Sequence, residues 1–259
     1  LLNFGGLVQN EWLKMSKKRS FMIAFAVMLI AIVGITFLIW KLSVVESPDL
    51  VIEEQFKSVL DFTASMMSAT GLGMVITIIS IIFTAGIVAK EHQLGTIKFL
   101  LIRAHGRNKI LASKYVAALL FVSSIIVFSL VVSFISGGFA FGFDTSTGQE
   151  TWSGVAESVW YQSVYTFIYV TLTFMVSILT RSSGATIGIG MAAVLIEGPL
   201  QMLLSRYDFS KYLLFMNTNL SQFSESGSNG GIAFPSLVCA AYAALFLIIG
   251  FVAFKKRDI

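Results

Sequence analysis

Charge is what this sequence has least of. Of its 259 residues only 12% are charged, whereas 56% are hydrophobic, and the mean hydropathy is +0.83. A water-soluble domain carries about a quarter charged residues, so this density leaves too little polar surface to cover a globule in water. The single cysteine, Cys239, excludes an intrachain disulfide and a cysteine-based zinc site. The two histidines, His92 and His105, lack the spacing and the carboxylate partners of a metal site. A nucleic-acid-binding face needs a basic, aromatic-studded soluble surface, and the composition leaves no room for one. No Gly-x-x-x-x-Gly-Lys phosphate loop occurs either, so the chain has no means of its own to bind and hydrolyse ATP.

What is present is a series of long uncharged blocks. They lie at about 20–40, 62–89, 115–141, 158–180, 182–204 and 232–254. About 20 apolar residues suffice to cross a bilayer, so each is read as a transmembrane helix, and the fold class expected is all-α with six spans. The first block is too long for the apolar region of a cleaved signal and is read as a span. Lysine and arginine placement sets the orientation. With the amino terminus inside, the inner segments hold 14 of the 18 basic residues, including Lys14, Lys17, Lys18 and Arg19. The outer segments keep Lys41, Lys57, Arg206 and Lys211 and collect most of the carboxylates, Asp61 and Glu150 among them. Both termini are therefore expected in the cytoplasm, with 1–259 a single transmembrane domain.

Two flanking regions carry more than topology. In 1–19, Phe4, Val8, Trp12 and Met15 share one helical face ahead of a cationic cluster, the pattern of an interfacial helix lying on the inner leaflet. The loop 90–114 predicts a short amphipathic helix on the cytoplasmic side, with Leu94, Ile97 and Leu101 on one face. Gly95 breaks the chain before it and Thr96 is placed to cap it. An apolar face with basic edges on a cytosolic loop suits docking to a soluble partner.

These residues resemble the membrane subunits of type-2 ABC exporters, of the bacterial antibiotic- or peptide-exporting kind. The resemblance rests on Glu91, Gly95, Thr96, Leu100, Leu101, Arg107 and Lys114, together with Asn10-Glu11 and the basic run before the first span. One departure is Ala104, where the family often has proline after the position equivalent to Arg103. The resemblance implies a coupling helix in 90–114 that sits in a groove of a separate ATPase. Two cytoplasmic ATPase subunits would bind ATP and Mg, and a second membrane subunit, either another copy or a related permease, would complete a dimer in the bacterial plasma membrane. The cargo implied is hydrophobic or amphipathic, a peptide or a drug-like molecule. Two other classes stay open: a secondary transporter or channel subunit, and a non-transporting immunity or sensor subunit.

Within this frame two carboxylates stand out. Glu91 either holds the coupling helix by pairing with Arg103, Arg107 or Lys114, or is an ordinary interfacial charge. Glu197 is the acidic residue set well inside an apolar run, and a charge at mid-bilayer costs roughly 3 kcal/mol. It precedes Gly198-Pro199, a pair expected to kink or break the helix. Its readings are a site on the export path or a gate, a re-entrant turn, or a carboxylate near the outer headgroups where span five ends early. Four aromatics of span four, Trp160, Tyr161, Tyr165 and Tyr169, are read either as a cargo-facing surface or as an interfacial belt. Gly184/Gly188 and Gly138/Gly142 are spaced for close helix contact.

Overall fold

The computed structural model describes residues 4–44, 56, 58–69, 71–93, 106–145, 148–224 and 231–256. Among these, every regular element is a helix: α1 (Phe4–Ser16), α2 (Arg19–Val44), α3 (Val59–Met67), α4 (Gly73–Gln93), α5 (Arg107–Phe141), α6 (Trp152–Thr180) and α7 (Ser183–Leu204). After a 3₁₀ turn at Asp208–Tyr212 come two one-turn helices, α8 (Leu214–Asn217) and α9 (Ser221–Ser224), and then α10 (Ala233–Lys256).

Five of these, α2, α5, α6, α7 and α10, are long and apolar enough to cross a bilayer. The block at 62–89 differs from the single span expected of it. It is divided into α3 and α4. The division has a local cause. Ser68 leaves the helical region at φ −70° and ψ 147°, and the following backbone turns tightly onto it. Gly71 and Gly73 donate N–H bonds to the Ser68 carbonyl at 3.0 and 3.2 Å. A Cβ at Gly73 would lie 2.4 Å from that same carbonyl oxygen, so only glycine permits the return.

The residues pack as two compact units. One unit comprises 19–76 and 123–163. Its core is α3, buried along nearly its whole length, with the Phe62 ring clustered with those of Phe56 and Phe141 at 5.8 and 5.3 Å. Val59, Leu60 and Ala64 pack with Val155, Leu130 and Phe134. Asp61, read from the sequence as an outer-loop charge, is buried here. Its Oδ2 accepts the Ser58 N–H at 3.2 Å while Ser58 Oγ accepts the Asp61 N–H at 3.1 Å, a reciprocal cap. Its Oδ1 accepts the N–H groups of Gln149 and Glu150 at 3.0 and 2.7 Å, tying the α5–α6 loop to the start of α3.

The other unit comprises 1–18, 77–122 and 164–259. Here α4 and α6 are joined by hydroxyls: Thr77 and Thr166 at 3.0 Å, and Ser177, which accepts the Ala89 N–H at 3.1 Å and donates to the Ala85 carbonyl at 3.3 Å. Tyr115 on α5 meets Thr171 at 2.8 Å, and Phe83 stacks on Phe121 with centroids 3.7 Å apart. In lipid such polar side chains must find partners within the protein, and interhelical hydroxyl bonds provide them. The α6–α7 turn passes through Arg181 at φ 54°, the one non-glycine residue with positive φ among those described.

Helix α7 docks through one narrow face, Thr186, Gly190, Val194 and Glu197, and leaves Ile189, Leu195, Ile196, Met202 and Leu203 exposed. Gly190 makes the close approach: a Cβ there would stand 2.7 Å from Ile81 Cγ2 and 2.9 Å from Thr173 Oγ1. Gly184 and Gly188, expected to mark a helix contact, face open space within the chain. Replacing Gly190 with Val should therefore lower the thermal midpoint of the detergent-solubilised chain, at an overpacking cost of about 1–3 kcal/mol. Gly188→Val should leave the midpoint unchanged, and equal effects of the two would contradict this packing.

Candidate functional site

The most polar buried locus lies where α6 and α7 meet the chain after α7. It is centred on Glu197, which is 6% exposed. The sequence places hydroxyls on one face of α6 at Tyr165 and Tyr169, four residues apart and so one above the other. Both donate to Glu197 Oε2, at 2.7 and 2.6 Å. The other oxygen, Oε1, accepts from Thr218 Oγ1 and from Gln201 Nε2, the latter at 3.3 Å from one turn further along α7. All four donors are neutral and Tyr169 and Thr218 are fully buried. A carboxylate offers about four lone-pair sites, and here each has a donor.

The same cluster fixes the connection between α7 and α10. Gln201 Nε2 also donates to the Phe215 carbonyl at 2.6 Å. Asn217 Nδ2 donates back to the carbonyls of Lys211 and Leu213 at 2.9 and 2.8 Å, closing the turn that leads into α8. The Asn217 carbonyl accepts from Cys239 Sγ of α10 at 3.1 Å, and Leu214 packs with Ile168, Cys239 and Phe246. Residues Asn217 to Leu220 are all buried, so this connector runs through the unit's interior and its backbone groups need such partners.

Two expectations change. Gly198-Pro199 does not break the helix: α7 continues through Pro199 to Leu204. Proline lacks one N–H and disturbs one turn, while Glu197 before it and Gln201 after it are both held by hydrogen bonds. The four aromatics of span four also do not share a role. Trp160 is 63% exposed, whereas Tyr165 and Tyr169 turn inward onto Glu197. Sequence reading singled out Glu197 but missed Tyr165, Tyr169, Gln201 and Thr218 as its partners. The available signals were the tyrosines' four-residue spacing, the same spacing from Glu197 to Gln201, and the polar Asn217-Thr218-Asn219 after an apolar stretch.

A second locus lies on α1. Its stripe turns progressively inward, from Phe4, 44% exposed, through partly buried Val8 and Trp12 to Met15 at 2%. On the same helix Glu11 forms an ion pair of 2.8 Å with Lys114 of α5, with side chains 13% and 4% exposed. Lys114, expected among the partners of Glu91, pairs here with the amino-terminal helix, and the Glu91 side chain lies outside the described residues. Of the coupling residues, Glu91 lies in the last turn of α4 and Arg107 opens α5. Leu94, Gly95, Thr96, Ile97, Leu100, Leu101 and Arg103 lie outside the described residues. Among the described residues no group of three or more His, Cys, Asp or Glu is placed to hold a metal ion.

Long apolar helices with polar side chains paired inside the protein define an all-helical, multi-pass membrane protein. The chain belongs to the family described as "Protein of unknown function (DUF2705)", which matches residues 28–259. It is similar to "Uncharacterized protein YhcI" of Bacillus subtilis (strain 168), 31% identical over 203 residues that cover 70% of this chain and 63% of the relative. It is also similar to "Uncharacterized membrane protein YdbK" of the same organism, 24% identical over 217 residues, 80% of this chain and 85% of that protein. The chain therefore spans somewhat under two thirds of the first relative's length.

The Glu197 cluster makes a graded prediction. Glu197→Ala leaves two tyrosine hydroxyls and Thr218 buried without their acceptor, at about 1–3 kcal/mol for each unsatisfied group. It should destabilise the detergent-solubilised chain more than Tyr165→Phe or Tyr169→Phe, each worth about 1 kcal/mol. Thermal midpoints of the three variants, read by size-exclusion after heating, check the order. A Glu197→Ala chain as stable as the parent would contradict the cluster's role.

Proposed function

We propose that the chain is the permease subunit of an ATP-driven exporter of the type-2 ABC class, in the bacterial plasma membrane. In this reading the five crossing helices are joined by α4 as a sixth span, both termini are cytoplasmic, and the path carries a hydrophobic or amphipathic peptide or drug-like cargo. A separate ATPase, in two copies, binds ATP and Mg, and a second membrane subunit completes the dimer. The observation that carries the reading is the Glu11–Lys114 ion pair. Both positions belong to the pattern that resembles the exporters, one before the first span and one where the third begins. Their pairing supports a mechanical link between the interfacial helix and the segment leaving the coupling loop. A buried pair suits that task, because removing one partner costs about 3–5 kcal/mol and so resists separation.

The remaining support is electrostatic and compositional. Basic residues concentrate on the side assigned to the cytoplasm, where Leu94, Ile97 and Leu101 would meet the ATPase and Glu91, Arg103 and Arg107 would edge that contact. The long exposed apolar faces suit a cargo that partitions into the bilayer. Glu197, with Gly198 and Pro199, is assigned to the path or its gate, where Glu197 also binds Thr218 of the connector after α7.

Replacing Leu94, Ile97 and Leu101 together with Glu should uncouple transport and release the ATPase while membrane insertion is unchanged. Glu11→Lys and Lys114→Glu singly should each reduce transport-linked ATP hydrolysis at least several-fold, and the double swap should recover most of it. ATP-driven transport at the parental rate in the triple Glu variant would overturn the coupling role, and failure of the double swap to recover would remove the ion pair from it.

A further inference from the structure

Within the unit formed by 19–76 and 123–163, α2 and α5 enclose an open groove of about 540 Å³. Leu29, Val33, Phe37 and Trp40 line it from α2, and Val132 and Phe139 are among those lining it from α5. Its polar side chains are Thr36 and Ser136, and they are already engaged. Thr36 Oγ1 donates to the Ile32 carbonyl at 2.8 Å and stands 3.1 Å from Ser136 Oγ. The groove thus offers no free polar group to a solute and is built to take hydrocarbon. Its mouth stays open, with Phe37 55% and Phe139 81% exposed.

We propose that this groove holds one acyl chain of a bilayer phospholipid whose anionic headgroup pairs with Lys41. Length supports the assignment. From Leu29 to Trp40 the lining stripe rises about 16 Å at about 1.5 Å per residue, close to one leaflet of a hydrocarbon core about 30 Å thick. Width supports it as well. A helix about 10–12 Å across would displace roughly 1,200 Å³ or more over that length, over twice the groove's volume, so a neighbouring helix would enter only by its side chains. Charge completes it. Lys41 is exposed and falls four positions after Phe37, so it continues the lining stripe at the groove's end. Beside it, Trp40 places an indole where the chain passes from hydrocarbon to headgroups. An aliphatic slot one leaflet long, ending in an aromatic and a cation, matches a phospholipid from tail to phosphate. The lipid site does not depend on what the protein transports.

The test uses the full chain in nanodiscs that contain phosphatidylglycerol with a photoreactive group in one acyl tail. Labelling is expected to concentrate on 29–40 and 132–140 and to saturate at about one lipid per chain. Unlabelled phosphatidylglycerol should compete about five-fold better than phosphatidylcholine, the ratio that about 1 kcal/mol per lysine gives. Lys41→Glu should abolish that preference while labelling remains. Ser136→Trp should fill the groove and suppress labelling, and Ala140→Phe provides a milder filling should the first variant fail to fold. Labelling spread evenly over all exposed faces, Met202 and Leu203 of α7 included, would overturn the proposal. So would labelling indifferent to the groove-filling and Lys41 variants. Efficient disulfide formation between two copies carrying Val33→Cys, with Cys239→Ser in the background, would assign the groove to a second copy and equally overturn it.

Discussion

A carboxylate within an apolar helix must be surrounded by donors from its own chain, because hydrocarbon supplies none. Glu197 meets that constraint with two tyrosines from α6, a glutamine from its own helix and a threonine from the connector. The consequence is architectural. Helix α7 touches its neighbours through few side chains, and its exposed face contributes nothing to its position within the unit. The hydrogen bonds at Glu197, with the close approach at Gly190 and the Thr186 contacts, therefore set where α7 lies and where the chain after it returns. Neutral donors from the chain itself satisfy the carboxylate.

The same rule recurs at several other polar groups that the chain carries inward. Asp61 is held by four main-chain and side-chain contacts about the start of α3, and a Cβ on Gly148 would fall 2.1 Å from Ser58 Oγ. Threonine and serine hydroxyls along α4 and α6 bond across the helices or back to the preceding turn. Glu11 and Lys114 neutralise each other in a nearly buried pair. At Asp61, between α4 and α6, and at Glu11 and Lys114, sequence-distant residues are brought together by the need to satisfy a polar atom, while the apolar surface is free to face lipid.

Much of this was legible in the sequence because bilayer crossing is written in run length. Five apolar blocks became the five long helices, and the boundary at Arg181 became a turn between α6 and α7. The break between α3 and α4 was not legible, since Ser68 and Gly71 lie in an uncharged run and neither residue type alone ends a membrane helix. Glu197 was visible because a lone carboxylate in an apolar run is conspicuous; its partners were not, because tyrosine and threonine are ordinary in spans and reveal themselves only by what they face. Pro199 is a related case: of the break and the kink that the sequence allows, the break does not occur, because α7 continues to Leu204. Glycine spacing gives the face but not what packs there: within the chain Gly138 meets the Phe143 ring and Gly184 and Gly188 meet nothing, while the close approach of α7 is made at Gly190, outside both pairs.

The proposed function joins two observed features, helix α1 clamped to the start of α5 by the Glu11–Lys114 pair and a polar knot that fixes the connector after α7. Its central claim is that the energy for transport comes from another polypeptide docked on residues 90–114. The most direct measurement is the native mass of the complex purified in mild detergent from its own membrane. The account predicts two copies of a soluble ATPase with two membrane subunits, and nucleotide hydrolysis by that assembly. A chain that purifies alone or solely with other membrane proteins, with no nucleotide hydrolysis, would contradict it.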